Sequence, residues 1–194
     1  MNILFITPYV PSENSGHAGA QLIYRNVVAL SKFNKIYIAS FLDVDDDKSI
    51  AKLSSKGIEV STVKYPRNQK TIFGKITSLF RNLKPMISYL KGNEPFFIAK
   101  YDKKKMSDLI TKILNSNHFD LVQTEYNVMH HYAHLFQNIK SLINFHDVST
   151  KMHESGVLLG RKSNKKSFQL AKKVESSIAN KFDCVITLTN EDKN

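Results

Sequence analysis

The chain has 194 residues, 42% hydrophobic and 10% aromatic, enough apolar material for a packed core and too much for wholesale disorder. A single Cys excludes an internal disulfide framework and any zinc ribbon or iron–sulfur site built on cysteines, and it fits a reducing compartment. The net charge of +11 points to an anionic partner: a nucleotide, a nucleic acid or an anionic lipid.

Six short apolar runs read as strands: Ile3–Thr7, Ile36–Phe41, Ile58–Val63, Leu121–Thr124, Leu142–Phe145 and Cys184–Leu188. They are continuous rather than alternating, as expected of strands covered on both faces. The first, in MNILFITPYVPS, has no basic leader and stops at Pro8, so it reads as a buried strand and not a signal peptide. No stretch approaches the roughly 18 apolar residues of a membrane span. Helical stripes fall between the strands. Leu22, Ile23, Val27 and Leu30 share a face after the first strand, and Ile50 and Leu53 mark a short helix after the second. A longer stripe runs from Ile72 to Leu90, with Pro85 as a kink or break; most of it is expected to pack on the sheet. Met106, Leu109, Ile110, Ile113 and Leu114 make the next helix, and Ala171, Val174, Ile178 and Phe182 the last. The alternation predicts an α/β fold: a Rossmann-like three-layer sandwich with a mainly parallel sheet and a helical insertion after the third strand. Gly156, Gly160 and Ser163 suggest mobility before the last helix.

The basicity is concentrated. Residues 67–105 carry a net charge of +8 and residues 151–181 a net +6. These segments are either solvated helix faces or anion-binding surfaces. They lack a nucleic-acid reader motif, and their aromatics follow the apolar stripe rather than the cations, which disfavours nucleic acid as the partner.

Ligands of open α/β sheets bind beyond the carboxyl ends of the strands, so the residues there are the candidates. The loop after the first strand is long and holds Gly16, His17 and Gly19 just before a helix, where amide groups and the helix dipole attract phosphate. It is neither G-x-G-x-x-G nor a Walker A loop, and it can equally be a plain turn. No acidic residue closes the second strand as a ribose ligand would, which disfavours an NAD-dependent dehydrogenase. Glu125, at the end of the fourth strand, can bind hydroxyls or cap the next helix. His146 and Asp147, after the fifth, can shuttle protons or simply pack. His130 and His134 are four apart on a predicted helix, the spacing of a metal pair, but a surface or interface role is the expectation. Cys184 is expected in the core, and His118 and His153 on the surface.

These features together resemble retaining GT-B glycosyltransferases of the group 1 class. The opening MNILFITPYVPSENSGHAGAQLIYRNVVALSK looks like that family's first strand, Pro-rich loop, small-residue turn and helix. LINFHDVS is similar to its strand ending in His-Asp, and KKVESSIANKFDCVITLTNEDKN to the end of its N-terminal domain, with Thr189 where Ser is usual and Asp192 matching the acid. The resemblance covers nearly the whole chain, and implies that residues 1–194 are the N-terminal, acceptor-side domain without the C-terminal, donor-binding one. The family's pair of Glu separated by seven residues is not found here. The chain is therefore expected to be a piece of a longer enzyme or a natural fragment, inactive by itself.

The resemblance further implies transfer, with retention, from a nucleotide-sugar donor to a glycan, lipid-linked or other membrane-proximal acceptor. No cofactor and no essential metal are implied. His146 would be the catalytic residue facing the cleft, with Gly16, His17, Gly19, Glu125 and Asp147 as substrate contacts. The family more often has adjacent glycines where Gly19-Ala20 stands. Residues 67–105 would lie against an anionic membrane surface, on a cytoplasmic protein peripheral to the inner face. The competing expectation is a stand-alone Rossmann-like module that binds a nucleotide or a partner without catalysis.

Overall fold

The computed structural model describes residues 1–43, 46–65, 72–146 and 162–189; within these ranges the side chains of residues 72–77, 79 and 162–164 are left out of account. Six strands, β1 (Asn2–Thr7), β2 (Lys35–Leu42), β3 (Glu59–Lys64), β4 (Leu121–Glu125), β5 (Ser141–Phe145) and β6 (Cys184–Thr187), form one sheet in the order β3-β2-β1-β4-β5-β6. Every pairing is parallel. The predicted α/β Rossmann-like architecture is thus the observed one.

The helices are α1 (Ala18–Leu30), α2 (Asp47–Ser54), α3 (Ile72–Leu90), α4 (Phe96–Ala99), α5 (Lys104–Ser116) and α6 (Lys162–Ile178), with a 3-10 segment over Asn127–Leu135. Side chains alternate across a strand, so each strand feeds two cores. In β1, Ile3 and Phe5 pack with Ile23 and Val27 of α1 and Leu53 of α2. Leu4 and Ile6 face the other way, toward Ile98 of α4, Met106 and Ile110 of α5, Tyr132 of the 3-10 segment and Val174 and Ile178 of α6. The result is a helical layer on each face of the sheet. All of these residues are buried, and truncating one of the larger aliphatic side chains to Ala costs about 2–5 kcal/mol.

Four sequence expectations are corrected. Cys184 is exposed, because β6 is the sheet edge and its Val185 and Ile186 are exposed with it. Phe80, Leu83, Ile87 and Leu90 of α3 are also exposed, so the described part of that stripe faces outward instead of packing on the sheet. Pro85 does not break α3: it is buried within the helix, which continues through it over 19 residues, so of the expected kink or break the break is excluded. The last helix ends at Ile178, and Phe182 is buried from the connection to β6. Ser163 lies in the first turn of α6, whereas Gly156, Gly160 and His153 lie outside the described residues.

α3 ends where Gly92 adopts φ 74, a left-handed conformation that glycine enters without steric cost. The Asn93 amide donates to the Ser88 carbonyl at 3.1 Å, and the reversed chain carries Glu94 toward the 3-10 segment.

Candidate functional site

In the observed strand order, the direction of strand addition across the sheet reverses between β1 and β4, the place where open α/β sheets bind ligands beyond the carboxyl ends of their strands. Four segments reach this rim: the loop after β1, the start of α1, Tyr126 after β4 and His146 after β5.

Gly19 sits in the first turn of α1 against Tyr126. A Cβ built on Gly19 would lie 1.7 Å from the Tyr126 hydroxyl and 2.9 Å from the Tyr9 hydroxyl, so only glycine allows this approach. Tyr126 in turn stacks on His146, with ring centroids 4.2 Å apart and planes 17° apart, and meets Tyr9 edge-on at 5.4 Å. Tyr9 stacks on His17 at 5.5 Å. Tyr126 holds φ 70 and ψ 141, a sparsely populated conformation for a residue with a side chain, and such conformations persist only where the surroundings enforce them.

Under this aromatic layer lies a buried polar pair. His146 Nε2 is 2.6 Å from Glu125 Oε2, and Gln123 Nε2 donates to Glu125 Oε1 at 2.6 Å. Glu125 is 0% exposed, so it meets His146 and Gln123 rather than a dissolved acceptor, and it makes no cap to the segment that follows. In the tautomer that donates Nε2–H to Glu125, Nδ1 is left as an acceptor. Among the described residues His146 Nδ1, Asn144 Oδ1 and Thr124 Oγ1 are buried with no hydrogen-bond partner. Buried polar atoms are seldom left so, and three of them at the ends of β4 and β5 mark this rim as unusual.

The sequence candidates separate on this geometry. Gly19, His17, Glu125 and His146 belong to one continuous set of contacts running through Tyr9 and Tyr126. Gly16 has open space where a Cβ would lie, so close approach does not explain it. Asp147 and Asp192 lie outside the described residues. α1 begins with His17 as N-cap and neither a side-chain cap bond nor an acidic residue in its first turn. Beside it, an open hollow of about 440 Å³ is lined by Ser12, Asn14, Ser15 and His17 of the loop and by Ser49 and Lys52 of α2. Tyr9, Tyr126 and Asn144 were not among the candidates. Asn144 carried a legible signal, a polar residue inside the apolar run LINF; the tyrosines carried none.

A second polar cluster lies in the 3-10 segment. The surface role expected of these histidines fails for His130, which is 6% exposed, and the metal pair that the spacing of His130 and His134 would allow does not form. A 3-10 helix has three residues per turn, so residues four apart do not share a face as they do in an α-helix. His134 instead places Nδ1 2.9 Å from the His131 carbonyl. His130 and His131 face Glu94, whose Oε2 lies 3.9 Å and 3.4 Å from their Nε2 atoms. Burial, then the neighbouring His131 and Lys181, push the His130 imidazole down to about 2, so it is neutral. Burial likewise holds His131 below the usual range, opposed by Glu94 and Asp102.

Comparison with protein-family models gives no match, and neither does comparison with curated proteins.

Proposed function

We propose that this chain is the acceptor-side lobe of a GT-B glycosyltransferase that transfers a sugar, with retention, from a nucleotide-sugar donor. The observation that carries the reading is the Gly19–Tyr126–His146 stack at the carboxyl-end rim of the sheet, over a His146–Glu125 pair with unpartnered polar atoms beside it.

In this reading Glu125 is a positioning residue: it fixes the His146 ring and its tautomer, leaving Nδ1 to accept a hydrogen bond from a sugar hydroxyl once Tyr126 moves aside. The uncapped first turn of α1, with no acidic residue, favours the donor diphosphate. A second α/β lobe would close the crevice and supply the rest of the donor site. The exposed apolar face of α3, with Lys84 in the helix and paired with Asp102, and Lys91 just after it, would bring the enzyme to an anionic membrane surface and a lipid-linked or other membrane-proximal acceptor. Among the described residues no helix is long and apolar enough to cross a membrane, so that association would be peripheral, on the cytoplasmic side.

The test is nucleotide-sugar turnover by the two-lobe protein, with His146→Gln as the variant. Gln keeps a donor toward Glu125 and lacks the imidazole. The expected result is turnover of at least one nucleotide sugar and a loss of about 100-fold or more in the variant, with circular dichroism unchanged. A variant as active as the parent refutes the role of His146, and no donor hydrolysis or transfer across the common nucleotide sugars refutes the enzyme class.

A further inference from the structure

We propose that Glu94, His130 and His131 form a binding site for one divalent transition-metal ion of the zinc type, which ties the turn after α3 to the 3-10 segment.

One ligand atom from each of the three residues lies within 4.8 Å of the other two. Four-coordinate zinc with bonds of about 2.0–2.1 Å sets its ligands about 3.3–3.4 Å apart. The Glu94–His131 separation of 3.4 Å already matches that edge, and the Glu94–His130 separation of 3.9 Å needs a shift of about half an ångström; His131 Nε2 also lies 3.3 Å from the Ile98 carbonyl, a contact that the ion must displace. Two imidazoles and one carboxylate make a donor set that suits zinc, leaving a fourth position for water.

A second observation points to a ligand. His130 is 6% exposed, and its Nε2, the atom aimed at Glu94, has no hydrogen-bond partner among the described residues. At 3.9 Å the carboxylate is too far for a hydrogen bond, yet Glu94 is itself mostly buried. The cluster sets two imidazoles and a carboxylate around space that a cation would fill. A groove of about 460 Å³, lined by His130, His131, His134, Ser141, Lys181 and Asp183, gives it access to solvent.

Lys181 opposes the ion. Its Nζ lies 3.1 Å from His130 Nδ1, and an ammonium donating there keeps the ring proton on Nε2. Metal on Nε2 requires that proton on Nδ1, so Lys181, which is exposed, must swing into solvent when the ion binds. An acceptor in its place would support the metal-bound tautomer. Lys181 is thus a negative determinant of affinity.

The experiment uses the tag-free chain in a Cys184→Ser background, because the exposed thiol would compete for zinc. After chelator treatment, zinc is titrated and bound metal is measured by elemental analysis, with Co²⁺ absorption reporting coordination number. One equivalent is expected, with a four-coordinate Co²⁺ spectrum. Tm should rise by about 5–10 °C at a zinc concentration about 100-fold above Kd. Glu94→Gln and His131→Ala should each weaken binding at least about tenfold, and Lys181→Gln should tighten it by about tenfold. His134→Ala should leave it unchanged. Substoichiometric uptake, or uptake that neither Glu94→Gln nor His131→Ala weakens, overturns the proposal.

Discussion

Gly19→Ala tests the packing on which the candidate site depends. The added methyl would fall 1.7 Å from the Tyr126 hydroxyl and 2.9 Å from Tyr126 Cζ, inside any permitted contact. A tyrosine tip can ordinarily swing away, but this ring is held by the His146 stack at 4.2 Å and by Tyr9 at 5.4 Å. Forcing a group into such a site costs about 1–3 kcal/mol. Against that, Ala is a better helix former than Gly by up to about 1 kcal/mol, and Gly19 lies in the first turn of α1. The expected net effect is a destabilisation of about 1–2 kcal/mol, or roughly 2–8 °C in Tm for a chain of this size. In a Tyr126→Ala background the closest clash is gone and only the 2.9 Å approach to the Tyr9 hydroxyl remains, so the same substitution should become close to neutral. Urea denaturation of the four proteins closes a double-mutant cycle in which the coupling between positions 19 and 126 should be about 1–3 kcal/mol. If Gly19→Ala has the same effect in both backgrounds, Gly19 does not support Tyr126, and the continuity of the site from α1 to His146 is lost.

Three further outcomes are expected. His146→Ala takes from the Glu125 side chain, 0% exposed, one of its two hydrogen bonds and leaves Gln123 as its partner, so it should cost about 1.5–3 kcal/mol by urea denaturation, and adding Glu125→Gln should recover part of that loss because the buried carboxylate is then gone. The Ser141 amide and hydroxyl hold the Asp183 carboxyl below its usual value, so its contribution is present above about pH 4 and lost as pH falls through the lowered value; the Tm gap between the parent and Asp183→Asn should therefore close between pH 5 and pH 2.5, and a gap independent of pH would remove the carboxylate as its cause. Phe80 and Leu90 are 68% and 66% exposed, so Phe80→Glu with Leu90→Glu should leave stability within about 1 kcal/mol while abolishing sedimentation with anionic vesicles at low salt; failure of the parent chain to sediment there would end the membrane reading.

The fold was legible because its determinants are local and repeated. Every strand but the edge strand β3, whose residues are EVSTVK, is a largely apolar run of four to eight residues, and each helix after β1, β2 and the insertion carries a stripe at helical spacing. What sequence could not convey was position within the sheet. CVIT reads like LINF, but β5 has neighbours on both sides whereas β6 is the edge, and this alone turns Cys184 from an expected core residue into an exposed one. The α3 stripe has the period of a buried helix, and period says that a face is apolar without saying what covers it.

The site divides along the same line. His146 and Glu125 were legible one at a time, as polar residues closing apolar strands, and both in fact sit at the ends of adjacent strands β4 and β5. Their pairing was not legible, since 21 residues separate them and the contact follows from the register that sets Glu125 opposite Asn144. Tyr126 left no trace at all, because its importance comes from a backbone conformation, φ 70, that turns the ring over His146 and under Gly19. The second cluster hid for a related reason. A spacing of four implies a shared face only in an α-helix, and the segment from Asn127 to Leu135 is wound at three residues per turn, which leaves His134 aside and brings His131 to Glu94. In both places helix and strand periods identify the residue types correctly, but the partner is chosen by a departure from those periods, so the chemistry of this chain is written where its regular structure gives out.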